Sequence, residues 1–96
     1  MKTYSVKISQ KAEKDLRKLP QHIVLKLAIW VKHVNNEGIQ AVRKIKGYHD
    51  EPLSGKRKGQ RSIRLSKAYR AFYTEHDNGK VDINYIEVNE VNKHDY

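Results

Sequence analysis

The chain contains no cysteine, which excludes a disulfide scaffold, thiol catalysis and a cysteine-ligated zinc site. His22, His33, His49, His76 and His94 follow neither HxxxH nor HExxH spacing, so no metal ligand set and no cofactor is expected. Apolar runs are short. None approaches the roughly 20 residues needed to cross a bilayer, and the N-terminal stretch lacks the apolar segment of a signal peptide. The expectation is a cytoplasmic protein with no membrane partner. Proline is limited to Pro20 and Pro52, and tryptophan and phenylalanine to one each, beside six tyrosines. Acidic residues are also scarce: 11 Asp and Glu stand against 20 Lys and Arg, a net charge of +9 over 96 residues. Such a chain makes one domain with a single modest core.

What is present in excess is positive charge, concentrated in the middle of the chain. Between Arg43 and Arg70 lie Lys44, Lys46, Lys56, Arg57, Lys58, Arg61, Arg64 and Lys67, opposed only by Asp50 and Glu51. A one-signed field on a small fold repels itself, so its use is toward an anionic partner, nucleic acid first. The same stretch, from Gly47 to Tyr73, combines a loop anchored by Pro52 with glycines and two short extended segments.

The hydrophobic pattern gives the frame. Tyr4, Val6 and Ile8 alternate with Thr3, Ser5 and Lys7 as in a half-buried strand. Ser9 offers an N-cap to a short helix with Ala12, Leu16 and Leu19 on one face. Pro20 ends that helix or opens the next, which runs from Gln21 to about Asn36 with Ile23, Leu27, Trp30, Val31 and Val34 at helical spacing. Asn35, Asn36 and Gly38 supply its stop. Residues 40–46 fit either a turn of helix or an extended connection. Pro52, Gly55 and Gly59 predict a loop, Ile63 and Leu65 a strand, and Tyr69 to Thr74 a second strand. A turn at His76 to Gly79 leads to a third from Lys80 to about Val91. The fold class is α+β: an N-terminal strand, two helices and an antiparallel meander.

Taken in order, Glu51-Pro52-Leu53, Gly55, Gly59, Ser62-Ile63-Arg64-Leu65, Tyr69-Arg70, Tyr73 and Lys93-His94-Asp95-Tyr96 resemble the RelE/ParE superfamily of bacterial toxin–antitoxin toxins over nearly the whole chain. Within it the pattern looks most like the RelE, HigB and YoeB type of ribosome-dependent mRNA interferase. The resemblance implies a metal-independent endoribonuclease that cleaves mRNA in the ribosomal A site by attack of a 2′-hydroxyl on the adjacent phosphate, inhibiting translation. It also implies a cognate antitoxin as partner, besides the ribosome and mRNA.

Such a reaction needs a base, an acid and fixed positive charge at the phosphate. By the resemblance Arg70 is the phosphate-binding arginine, with Arg64 in line on the neighbouring strand. Glu51 stands where relatives have a general base, and His94 and Tyr96 resemble the residues that close the chain in these enzymes. Asp95 separates the last two, where the nearest relatives have them adjacent. Ser54 stands where several relatives carry a lysine. Lys46, Lys56, Arg57, Lys58 and Arg61 would contact RNA backbones. Two alternatives remain: a ParE-like inhibitor of DNA gyrase, needing a protein-binding surface and no catalytic groups, and a basic nucleic-acid-binding module without chemistry.

Overall fold

The computed structural model describes residues 5–88. Its strands are β1 (Val6–Ile8), β2 (Glu51–Pro52), β3 (Gln60–Arg64), β4 (Tyr69–Glu75) and β5 (Val81–Val88); its helices are α1 (Gln10–Leu16), α2 (Gln21–Glu37) and α3 (Ile39–Val42). The expected α+β order is therefore present. The strands form one sheet in the order β1-β5-β4-β3-β2. The meander β3-β4-β5 is antiparallel, whereas β1 runs parallel to β5 at the opposite edge from β2.

Local chemistry sets the elements. Ser9 caps α1, its Oγ accepting from the Ala12 N–H at 3.0 Å. The same hydroxyl donates to the carbonyl of Asn84 at 2.7 Å. Asn84 is the extra residue where the β4–β5 register shifts, since Phe72 pairs with Tyr85 and Tyr73 with Ile83. The cap thus fastens α1 to the sheet. Pro20 lies just before α2, whose first N–H bonds return to its carbonyl, and Gly38, at φ 87°, ends the helix.

Helices α1 and α2 cover one face of the sheet. Ile23, Leu27, Trp30 and Val34 of α2 are buried with Ile63, Ala71, Tyr73, Val81 and Ile83. Trp30 meets Tyr73 with ring centroids 5.2 Å apart. Among the described residues no helix is long and apolar enough to cross a membrane.

One segment that the sequence left open takes the helical alternative, and one differs from the expectation. Residues 39–48 resolve into α3 and a 3₁₀ turn at Lys46–Tyr48, because Ile39, Val42 and Tyr48 are all drawn into the core. The predicted loop at Pro52 contains a two-residue edge strand, in which Glu51 pairs with Ser62 and Pro52 with Arg61. Proline is compatible with an edge, where its missing N–H faces no partner. The extended run of Ile63 and Leu65 begins earlier, at Gln60. The last predicted strand matches β5 to Val88; its expected continuation to Val91 lies outside the described residues.

Candidate functional site

Strand parity sorts the basic residues between the two faces of the sheet. On β3, Arg61 shares the helix-covered side with buried Ile63, while Gln60, Ser62 and Arg64 take the open side. On β4, Ala71 and Tyr73 are core, and Arg70 and Phe72 share the open side. Cross-strand pairing then builds two adjacent rows on the open face. One runs Arg64, Arg70, Glu87; the other runs Glu51, Ser62, Phe72, Tyr85.

Arg70 stands at the centre of these rows. Its guanidinium donates to Ser62 Oγ at 2.6 Å and reaches Glu51 Oε2 at 3.5 Å. The side chain is 31% exposed, against 63% for Glu51. Arg70 is therefore held from below while part of its donor fork faces solvent, and a carboxylate lies beside it. Arg64, directly opposite on β3, is exposed and makes no hydrogen bond or ion pair among the described residues. Like charges at directly paired positions on neighbouring strands repel unless an anion offsets them.

Beneath this face lies a buried polar cluster that the sequence did not reveal. The carboxylate of Asp50 is fully buried. It accepts from Arg61 Nε at 2.6 Å and from the Tyr73 hydroxyl. Burial, and then the hydrogen bond to Asp50, push the Tyr73 phenol well above the ordinary tyrosine value. Burial alone would lower the Arg61 guanidinium, but the bond and charge of Asp50 carry it above its usual value. Arg61 was expected to contact RNA. Its charge is instead compensated inside the fold, because it shares the parity of Ile63.

Arg57, also expected to contact RNA, is ion-paired on the open face. It lies in a 3₁₀ turn, Gly55–Arg57, and folds over the open face. Its Cζ sits 4.9 Å from the Phe72 ring centroid and 5.6 Å from that of Tyr85, and its two terminal nitrogens bind Glu87 at 3.3 and 3.2 Å. Lys46, Lys56 and Lys58 are exposed. His94 and Tyr96 lie outside the described residues.

The polar groups missed by sequence reasoning were Asp50, Ser62, Tyr85 and Glu87. Ser62 had a usable signal, since it shares strand parity with Arg64. Asp50 had none, because its partners are 11 and 23 residues away.

No family sequence model matches the chain, and no curated protein matches it in sequence. Solved structures do match it in fold. YafQ from E. coli strain BL21(DE3) superposes with a TM-score of 0.73 at 17% identity, over 92% of this chain and 96% of that one. A chain of the archaeal RelE–RelB complex from Pyrococcus horikoshii OT3 gives 0.70 at 23%, over 90% and 94%. One from the RelBE2 toxin–antitoxin complex of Mycobacterium tuberculosis gives 0.68 at 22%, over 91% and 99%. The architecture is that of the RelE-like toxins.

Proposed function

Taking the RelE-like toxin fold as the premise, we propose that this chain is the toxin of a type II toxin–antitoxin pair and acts as a ribosome-dependent endoribonuclease. The observation that carries the reading is Arg70. It is fixed by Ser62 at 2.6 Å, lies beside the Glu51 carboxylate at 3.5 Å and faces Arg64 across the strand pair. A phosphate set against Arg70 and Arg64 would meet two cations, one of them already oriented, and an adjacent carboxylate base.

In this scheme Glu51 takes the proton from the ribose 2′-hydroxyl as its oxygen attacks the neighbouring phosphorus. The guanidinium of Arg70 donates to the non-bridging oxygens, where negative charge grows in the phosphorane-like transition state. Arg64 adds charge on the same side. The P–O5′ bond then breaks, leaving a 2′,3′-cyclic phosphate, and the departing 5′ oxygen takes a proton. His94 or Tyr96 is the acid by the sequence resemblance. Lys46, Lys56 and Lys58 hold RNA backbones by charge.

The antitoxin fits the same electrostatics: an acidic segment laid over Arg64 and Arg70 would exclude RNA. Several solved neighbours come from toxin–antitoxin complexes, which supports a protein partner of this kind. The test is to add the protein to ribosomes programmed with a defined mRNA and map new 5′ ends. Cleavage confined to ribosome-bound message supports the reading. Intact message with folded protein overturns it and redirects the search to gyrase.

A further inference from the structure

Phe72 is only 4% exposed, although it lies on the sheet face that the helices leave uncovered. Two side chains contact its ring. Tyr85, its partner in the strand register, stacks on it at 4.8 Å between centroids with 21° between ring planes. Arg57 lies over both rings and is tied at its edge to both oxygens of Glu87. The Tyr85 hydroxyl is itself fixed, donating to Gln60 Oε1 at 3.1 Å. The result is a compact cluster in which the guanidinium sits nearly equidistant from two stacked rings, each member held by a second contact.

The electrostatics of this stack differ from those of Arg70. Glu87 occupies the terminal donors of Arg57 and compensates its charge, so a phosphate gains little there. What remains is a planar, weakly hydrated group: the Arg57 side chain is 46% exposed, with its Cζ 4.9 Å from the Phe72 ring centroid. Such a surface suits a nucleobase, which stacks on guanidinium planes and aromatic rings whatever its identity. Phe72 is two residues from Arg70 on the same face, roughly 7 Å along the strand. A phosphate at Arg70 and a base over Arg57 are thus within reach of neighbouring nucleotides.

We propose that Arg57, Phe72 and Tyr85 form a base-stacking subsite for single-stranded RNA, in which an unpaired base lies on the outer face of the Arg57 guanidinium. This inference rests on RNA being the ligand of the open face. Arg57 then acts as a stacking plane, with Glu87 as its positioning residue, and phosphate binding falls to Arg70 and Arg64.

The test uses the intact protein and a short RNA carrying one 2-aminopurine, whose fluorescence falls when it stacks, beside the same RNA with an abasic site there. Wild type should quench the probe and bind the base-containing RNA about tenfold more tightly than the abasic one, as for one lost stack. Arg57→Lys keeps the charge but lacks the plane, and should abolish both the quenching and the preference. Tyr85→Leu should do so in part. Absence of quenching by wild type at low salt overturns the proposal, as does quenching retained in Arg57→Lys. Ribosomal cleavage measured in parallel separates the two readings. If nuclease action fails, wild type leaves message intact while quenching is still read; if the subsite fails, Arg57→Lys cleaves like wild type without any base preference.

Discussion

The Tyr73 hydroxyl donates to the buried carboxylate of Asp50, the residue immediately before Glu51. A core tyrosine, packed on Trp30, therefore holds the start of the edge strand that carries the proposed base. His49, at φ 48°, supplies the left-handed turn that leads into Asp50.

Tyr73→Phe removes that donor and leaves a buried carboxylate oxygen unpaired. The expected loss is about 2 kcal/mol, on the order of 10 °C in Tm for a domain of this size. Asp50→Ala, which strands both Arg61 and Tyr73, should cost about 3–5 kcal/mol. Chemical denaturation measures both. In the fraction of Tyr73→Phe that remains folded, cleavage should slow by about tenfold or more, because Glu51 is less well positioned.

Arg64 faces Arg70 directly across the sheet, so Arg64→Gln should stabilise the free protein by about 0.2–1 kcal/mol through relief of like charge. The same change should weaken RNA binding and lower its salt dependence by about one unit of slope. Opposite signs for stability and binding are the mark of a cation kept for a ligand. A destabilised Arg64→Gln with unchanged binding would contradict this assignment.

Glu87→Gln uncovers the charge of Arg57, while the amide oxygen keeps one of the two bonds that hold its plane. Affinity for RNA at low salt should rise, and the plot of log K against log salt should steepen by about one unit. Titration at several salt concentrations reads the change directly.

Acid stability should depend on Asp15. Burial raises its carboxyl, but the hydrogen bond from the Ile86 N–H, then Lys11, outweigh burial and hold it below the usual value of 3.8. In the window between the folded value and 3.8 the unfolded chain binds more protons, so stability falls as the pH drops through it. Asp15→Asn should flatten that part of the profile, followed by Tm below about pH 4.

Much of the frame was legible because its signals are local. Ser9 as a cap, the apolar stripe of α2 through Trp30, Gly38 as a stop and the turn at Gly79 each declare themselves within a few residues. The edge strand at Glu51 was not legible, since among the described residues its ladder partners are in β3 and proline argues for a loop. The cations show the same division. Arg57, Arg61 and Arg64 look alike in a basic run, yet Asp50 compensates one and Glu87 another, and both pairings depend on the folded register. Parity with Ile63 was the one clue that separated Arg61 from Arg64. Arg70 and Glu51 were identified from the resemblance; their hydrogen-bond distance and the Ser62 support belong to the sheet alone.

The most direct measurement is primer extension on mRNA from programmed ribosomes incubated with wild type or Arg70→Ala, with ribosome binding measured alongside. New 5′ ends are expected with wild type and a rate lowered by about 10²- to 10³-fold in Arg70→Ala, while binding to ribosomes persists. Cleavage by Arg70→Ala at the wild-type rate, or message left intact by wild type, would contradict the proposed function.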